Sequence, residues 1–218
     1  MLPRRIKLFF NELLRNVSKD EEGDYWHRRA KKYGKRAVLN LDHSKNEIRR
    51  ITKYQVEQIF PYLEVYKSDE VKTILDYGCG PGRFSTKLAK VFDAKVTAVD
   101  PVEHFLKLAP KHRLVEYKVL DVEKFYSSTK FDIIWICLVL GGLLDEELVE
   151  VSNLLETMAK KGTVLCLVEN TSKVENAKHW SFRSFECYQK LFEKYNLKLE
   201  NTYLDVNEEI SVMIGKRN

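Results

Sequence analysis

The sequence predicts an α/β fold in which a mostly parallel sheet is covered by helices on both faces. After Lys72, short apolar runs alternate with stretches of helical periodicity, a pattern typical of parallel strands joined by crossover helices. Near the end of the chain, residues 198–205 and 209–216 have the pattern of two strands joined by the short turn 206–208. This pattern indicates an antiparallel hairpin at one edge of the sheet.

The N-terminal part of the chain is predicted to be helical. Residues 1–17 place apolar side chains at helical spacing, which predicts a helix that packs on the core or on a second subunit. A basic helix lying on a membrane surface is the alternative. The polar residues 18–24 are expected to form a linker. We expect a helical cap or lid over residues 1–66 and the main domain over residues 67–218.

The remaining elements follow from apolar runs and periodicity. The segment 50–66 is amphipathic and is predicted to form a helix that Pro61 kinks or ends. The predicted strands are 73–77, 95–99, 114–119, 132–140 and 163–169, and the helices between and after them are 83–92, 102–109, 145–161 and 181–195.

Composition limits the class of protein. The 218 residues are 44% apolar and 11% aromatic, which is a globular composition. The formal net charge of +5 is too modest to identify a nucleic-acid partner. The four cysteines are widely spaced without a CxxC pair, so free thiols and no metal site are expected. No run is long enough to span a bilayer, and no cleavable leader is evident, so a cytoplasmic location is expected.

The stretch 74-ILDYGCGPGRFS-85 joins the first strand to the first helix of the sheet. Gly78, Gly80 and Gly82 allow positive φ and a close approach of the backbone to a ligand, and the helix that follows offers free N–H groups to an anion. A dinucleotide fingerprint requires a third small residue where Arg83 stands. A glycine turn without a ligand is the alternative for the loop taken alone.

Two acids lie at neighbouring strand tips. Asp100 follows the second strand, 22 residues after Gly78, where a carboxylate can accept both hydroxyls of a ribose. Asp121 follows the third strand, where it could accept from the exocyclic amine of an adenine, and Val122 could present a backbone N–H to the ring. The common register of these acids with the glycine loop favours a ligand site over ordinary strand-end acids.

From about Tyr25 to its end, the chain resembles the class I S-adenosylmethionine-dependent methyltransferases. The resemblance implies an enzyme with a Rossmann-like, doubly wound, seven-stranded sheet that has one antiparallel strand near the C-terminus. It implies S-adenosylmethionine as cofactor and S-adenosylhomocysteine as product. The motif residues that carry it are Asp76, Gly78, Gly80, Gly82, Asp100 and Asp121.

The resemblance also implies roles for single residues. Asp76 would face the ammonium of the methionine part, and Arg29 on the leading helix would pair with its carboxylate. Cys137 and Leu138 would border the sulfonium. The implied cofactor-binding residues are Tyr25, Trp26, Arg29, Asp76, Gly78, Cys79, Gly80, Asp100, Pro101, Asp121, Val122, Cys137 and Leu138.

Residues above the strand tips are candidates for the methyl acceptor. Glu169 ends the fifth strand, His43 lies on the predicted lid, and His179 precedes the last helix, so these three are the predicted catalytic residues. Trp180 and Arg183 are predicted to bind the acceptor, with Arg183 suited to a carboxylate or phosphate. Ordinary strand-end and capping roles are the alternatives for this group.

Absent motifs favour a small methyl acceptor. The end of the fourth strand lacks the [DN]-P-P-[YF] signature, and neither a paired-glutamate loop nor a magnesium site is evident. The prediction is therefore metal-free transfer to oxygen or nitrogen of a small molecule, such as a sugar, an antibiotic precursor or another secondary metabolite, by a protein that could form a homodimer. An RNA or protein methyltransferase, supported by the basic run 28–36, is the first alternative, and a non-catalytic regulatory subunit is the second.

Overall fold

The computed structural model describes residues 21–44, 47–120, 129–171 and 179–218. Two helices precede the first strand: α1 (Glu21–Tyr33), which a 3-10 turn (Gly34–Val38) extends, and α2 (Ile48–Leu63). The linker predicted over residues 18–24 is wrong from Glu21 onward, because α1 begins there. Pro61 lies inside the last turn of α2, which ends two residues later.

A seven-stranded sheet forms the centre of the protein. Its strands are β1 (Thr73–Tyr77), β2 (Lys95–Asp100), β3 (Val115–Val119), β4 (Phe131–Cys137), β5 (Ala159–Asn170), β6 (Lys198–Asp205) and β7 (Glu208–Lys216). The spatial order is β3-β2-β1-β4-β5-β7-β6, and β7 runs antiparallel to both of its neighbours while the other pairings are parallel. The predicted α/β class, with one antiparallel strand near the C-terminus, is confirmed.

Helices cover both faces of the sheet. They are α3 (Ser85–Phe92), α4 (Glu103–Leu108), α5 (Asp145–Thr157) and α6 (Phe185–Leu191). Because side chains alternate between the two faces of a strand, β4 sends Ile134 and Ile136 to the core under α5 and α6, and Ile133 and Trp135 to the core under α2 and α3. Both faces of the sheet are therefore buried, as expected for parallel strands.

Several predicted boundaries differ from the observed ones, because periodicity and apolar runs do not show where an element stops. The strand predicted over 132–140 ends at Cys137, and Leu140–Gly142 form a 3-10 turn. The helix predicted over 145–161 ends at Thr157, since β5 already begins at Ala159. The first difference matters for the site, because it creates a loop at the tip of the central strand β4.

Within the described residues, no helix is both long enough and apolar enough to cross a membrane.

Candidate functional site

The glycine loop between β1 and α3 has the backbone conformation predicted from its sequence. Gly78, Gly80 and Gly82 have φ angles of +71°, +52° and +69°, in the left-handed region that favours glycine. The Gly78 N–H donates to the carbonyl of Val99 at 2.9 Å, which fixes the loop to the end of β2. A Cβ on Gly78 would lie 2.7 Å from Val139 Cγ1, so a side chain there would collide with the loop after β4.

Asp100 at the tip of β2 holds the glycine loop through both carboxylate oxygens. Oδ2 accepts a hydrogen bond from the Gly80 N–H at 2.8 Å, and Oδ1 accepts one from the Val102 N–H at 2.9 Å. Burial raises the pKa of Asp100 to about 6, and these two N–H groups oppose the rise. Each oxygen keeps a further lone pair, so the carboxylate can also accept from the hydroxyls of a ribose.

A cavity of about 660 Å³ opens above the carboxyl ends of the strands. Ligands bind at this edge in open parallel sheets, and the volume lies within the usual range for small-molecule sites. Most of the predicted site residues line it: Tyr25, Trp26, Arg29, Asp76, Gly78, Cys79, Gly80, Asp100, Pro101, Cys137, Leu138, His179 and Trp180. The predicted adenine contacts, Asp121 and Val122, lie outside the described residues and stay predictions.

Asp76 lies under the glycine loop and is nearly inaccessible to solvent. Its Oδ2 accepts a hydrogen bond from Ser85 Oγ at 2.6 Å. Burial, with a contribution from nearby Asp100, raises the pKa of Asp76 to about 7, while Ser85 and Arg83 act in the opposite direction. A bound ammonium group would favour the ionised carboxylate in the same way.

Arg83, which the sequence analysis used only to exclude a dinucleotide, also lines the cavity. Its Nη2 donates to Gln55 Oε1 on α2 at 2.8 Å, and its guanidinium lies 4.8 Å from the centre of the Phe84 ring. An arginine directly after the glycine motif, beside the free N–H groups at the start of α3, can hold a carboxylate. Its position in the sequence was the signal that could have revealed it.

The lid helix α1 crosses the cavity and is fixed by Arg29. This side chain donates from Nη1 to the Tyr25 hydroxyl at 2.7 Å and from Nη2 to the carbonyl of Leu39 at 3.0 Å. The Tyr25 ring stacks on His179, with 4.2 Å between centroids. Arg29, Tyr25 and His179 thus form a continuous contact from α1 to the segment before α6.

The tip of β4 has an uncommon backbone. Leu138 has a φ of +56°, which a side chain such as leucine rarely adopts. Its N–H donates to the carbonyl of Val168 on β5 at 2.8 Å. Both Cys137 and Leu138 line the cavity at its centre, between the β1–β2 tips on one side and the β5–β7–β6 tips on the other.

Glu169, predicted as a base, supports the loop that follows β4. Its Oε1 accepts hydrogen bonds from the N–H groups of Val139 and Leu140, both at 2.8 Å. The residue is fully buried and does not line the cavity within the described part of the chain. Burial raises the pKa of Glu169 to about 7. This placement corrects the predicted role, because a base must reach the acceptor.

Arg183, predicted to bind the acceptor, clamps the same loop from its other side. Its Nη1 donates to the carbonyl of Leu140 at 3.0 Å, and its Nη2 donates to the carbonyl of Leu143 and to Asp145 Oδ1, both at 2.7 Å. The side chain is 7% exposed, and among the described residues it is not part of the cavity lining. The predicted contact with an acceptor carboxylate is therefore replaced by contacts within the protein.

His179 and Trp180 are the two remaining candidates, and their predicted roles stay predictions. His179 and Trp180 both line the cavity. The Trp180 indole packs so tightly on the β4 loop that a Cβ on Gly141 would lie 2.5 Å from its Cζ2. Trp180 therefore forms a wall of the cavity beside the loop that follows β4.

Three further carboxylates and an amide also line the cavity. Asn170 ends β5, Asp205 ends β6 and Glu208 begins β7, and all three line the cavity with Glu147 of α5. Asn170 Nδ2 donates to Glu208 Oε2 at 2.9 Å. None of the four was predicted from the sequence. The signal was present for Asp205 and Asn170, since both end strands that run parallel to β1 and β2.

His43, the third predicted catalytic residue, does not line the cavity but contacts a residue that does. Its Nε2 contacts Asp205 Oδ1, and its side chain is 13% exposed. Asp205 Oδ2 accepts from Gln55 Nε2 at 3.4 Å. The predicted lid histidine therefore meets the cavity through a carboxylate that is distant in sequence. Within the described residues, no group of three or more His, Cys, Asp or Glu side chains is placed to hold a metal ion.

Comparison with known proteins gives a family and a curated relative. A family model described as AdoMet dependent proline di-methyltransferase matches residues 22–210. The alpha N-terminal protein methyltransferase 1 of Arabidopsis thaliana is 25% identical over 142 residues, which are 59% of this chain and 51% of that protein. The chain thus spans about half the length of the curated relative that it matches.

Solved structures share the fold at lower sequence identity. A SAM-dependent methyltransferase from Anabaena variabilis ATCC 29413 superposes with a TM-score of 0.63 at 13% identity, covering 88% of this chain and 95% of that one. The magnesium protoporphyrin IX methyltransferase ChlM from Synechocystis PCC 6803, solved with bound SAH, gives 0.59 at 14% identity, with 78% and 82% covered. At these identities the likeness establishes the fold alone.

Proposed function

Because the chain belongs to the AdoMet dependent proline di-methyltransferase family, and so to the class I S-adenosylmethionine-dependent methyltransferases, we propose that it methylates the α-nitrogen of a polypeptide that begins with proline. The family match covers most of the chain, and the curated relative is named for N-terminal protein methylation. The observation that carries the proposal is the cluster of carboxylates and amide at the acceptor end of the cavity.

The residues at the other end suit the cofactor. Gly78 and Gly80 present bare backbone to the methionine part, Asp76 offers a buried carboxylate to its ammonium, and Arg83 offers a guanidinium to its carboxylate. Asp100, which accepts from the Gly80 and Val102 N–H groups, would also accept from the ribose hydroxyls. When bound, S-adenosylmethionine supplies an electrophilic methyl group on a sulfonium. The protein's task is then to position the acceptor nitrogen and to exclude water.

The acceptor end is acidic. Glu147, Asp205 and Glu208 contribute three carboxylates, and Asn170 adds an amide. A free N-terminal amine is cationic near neutral pH, and carboxylates bind a cation at short range. The apolar side chains of Leu143, Trp180 and Phe182 also line the cavity and can pack against a pyrrolidine ring. This combination of acid and apolar surface fits an N-terminal proline.

The same chemistry weighs against an anionic acceptor. Arg183, the cation predicted to bind an acceptor carboxylate or phosphate, donates to Leu140, Leu143 and Asp145 instead. The family match favours the protein acceptor, which was an alternative in the sequence analysis, over the small molecule preferred there. RNA receives no support from the acidic end of the cavity, since carboxylates repel phosphates.

The test uses the full chain, S-adenosylmethionine and a synthetic peptide whose first residue is proline. We expect mass increases of one and then two methyl groups. The matched control is the same peptide with an acetylated N-terminus, which removes the amine and is expected to gain no methyl group. Equal methylation of both peptides would contradict the proposal. So would an inert proline peptide alongside rapid methylation of a neutral sugar or an alcohol.

A further inference from the structure

We propose that Asp205 is the group that takes the proton from the acceptor amine, and that His43 is its positioning partner. This inference rests on the function proposed above, because a cationic amine has no free electron pair and must lose a proton before its nitrogen can attack a methyl group. The protein must therefore provide a base within reach of the acceptor.

Asp205 is placed at the correct edge of the sheet by the topology. It is the last residue of β6, and β6 runs in the same direction as β1, β2 and β4. Its carboxylate therefore projects from the edge that carries Asp100, but on the far side of β4. The residue lines the cavity and is only 9% exposed. A buried carboxylate in contact with the cavity is a suitable base for a bound amine.

The other lining carboxylates have different tasks. Asp76 lies at the cofactor end and accepts from Ser85. Glu208 accepts from Asn170 at 2.9 Å. Glu147 accepts from the Leu144 N–H at 2.8 Å, and this contact caps the N-terminus of α5. Asp205 is in contact with the imidazole of His43.

The partners of Asp205 come from the lid. His43 Nε2 contacts Oδ1, and Gln55 Nε2 donates to Oδ2 at 3.4 Å. Gln55 also accepts from Arg83 Nη2 at 2.8 Å, so the carboxylate is connected to the cofactor end through two hydrogen bonds. These contacts fix the orientation of the carboxylate and leave room on its oxygens for one more hydrogen.

The proposed step is a proton transfer from the acceptor ammonium to Asp205. The N–H bond of the acceptor ammonium breaks, its electron pair stays on nitrogen, and an O–H bond forms on Asp205. The carboxylic acid then releases the proton to water past His43, whose side chain is partly exposed. Removal of the His43 ring takes away the contact that orients Asp205, so it should slow the transfer.

Other titratable and charged groups face the pair and belong to the same electrostatic environment. Arg83 approaches from the glycine loop, Tyr203 from β6 itself and Cys137 from β4, and each interacts electrostatically with Asp205. Burial raises the pKa values of Tyr203 and Cys137, so both stay neutral in the working pH range. Arg83 is the charged group of these three that acts on Asp205, and Glu208 on β7 is the cross-strand partner of Asp205.

The decisive variant is Asp205→Asn, which keeps the shape of the side chain and removes the base. With the proline-first peptide, we expect kcat to fall about 100-fold or more, the usual contribution of a general base. Cofactor affinity from calorimetry should stay within about threefold of the unsubstituted protein, because the cofactor end is intact. Asp93→Asn is the matched control on the surface, 86% exposed in its side chain, with unchanged rates. Asp205→Glu, which restores a carboxylate, should recover part of the loss even if Asp205→Asn folds poorly.

The outcomes separate this inference from the proposed function. Methylation by the unsubstituted protein and by Asp205→Asn at similar rates would overturn the role of Asp205 and leave the proposed function standing. No methylation of the peptide by the unsubstituted protein would overturn both. For His43→Gln we expect a lower kcat with a nearly unchanged KM, and kinetic constants equal to those of the unsubstituted protein would remove His43 from the pair.

Discussion

Replacement of Arg183 by alanine distinguishes the structural role of this residue from the acceptor-binding role that its sequence context predicts. The guanidinium donates to the carbonyls of Leu140 and Leu143, at 3.0 and 2.7 Å, and to Asp145. Hydrogen bonds from a charged donor contribute about 1.5–3 kcal/mol each. The Asp145 carboxylate is 89% exposed, so that ion pair contributes at most about 1 kcal/mol.

The two carbonyl contacts therefore dominate the effect. We expect Arg183→Ala to lower the free energy of unfolding by about 3–6 kcal/mol, which corresponds to roughly 10–20 °C in the melting temperature of a chain of this size. Asp145→Asn is the matched control and should cost about 1 kcal/mol or less. Thermal and urea unfolding of the two variants measure the difference. Unchanged stability of Arg183→Ala, with a higher KM for the acceptor and normal cofactor affinity, would refute this reasoning and restore the acceptor-binding role.

Three further predictions concern the glycine loop, the β4 loop and pH. Asp100→Ala should weaken S-adenosylmethionine binding at least tenfold in calorimetry while the fold persists, and near-normal affinity would contradict the ribose assignment. Gly141→Ala should destabilise the protein by about 1–3 kcal/mol through overlap with Trp180. Gly142→Ala should cost less, because its Cβ would lie 3.7 Å from its nearest neighbours. Equal urea midpoints for the two variants would count against this packing. Burial raises the pKa of Glu169 from 4.5 to about 7. Between these two pH values the folded protein keeps a proton that the unfolded chain releases. The free energy of unfolding therefore falls as pH rises from 4.5 to 7. Glu169→Gln should therefore gain up to about 3 kcal/mol over the unsubstituted protein between pH 4.5 and 7, and a difference independent of pH would contradict it.

The cofactor end of the site could be predicted from the sequence because its geometry is local. A glycine-rich turn between a buried strand and a helix has one usual position in a parallel sheet. Asp100 follows the neighbouring strand by a spacing that places it beside Gly80, and the structure has the two in hydrogen-bond contact. Strand direction and chain spacing were sufficient to predict that Asp100 lies beside the glycine loop.

The acceptor end could not be predicted in the same way, because its contacts join distant segments. Arg183 finds its partners among backbone carbonyls of Leu140 and Leu143, which carry no sequence signal. His43 and Asp205 are 162 positions apart in the chain. Their contact depends on how the lid packs on the last hairpin.

The length of β4 shows a different limit. The apolar run continues past Cys137 into Leu138, Val139 and Leu140, and the sequence analysis extended the strand accordingly. These residues are apolar because the loop packs inward under Trp180 and is bonded to Glu169. Hydrophobicity reports burial, and a buried loop at a strand tip has the same signature as the strand.

The most direct test of the proposed function is to locate the methyl group by fragmentation mass spectrometry. The substrate is a proline-first peptide that also contains an internal lysine and a serine, incubated with the full chain and S-adenosylmethionine. The account predicts that every added methyl group lies on the N-terminal nitrogen. Methyl groups on the lysine or serine side chain, with the N-terminal nitrogen unmodified, would contradict it.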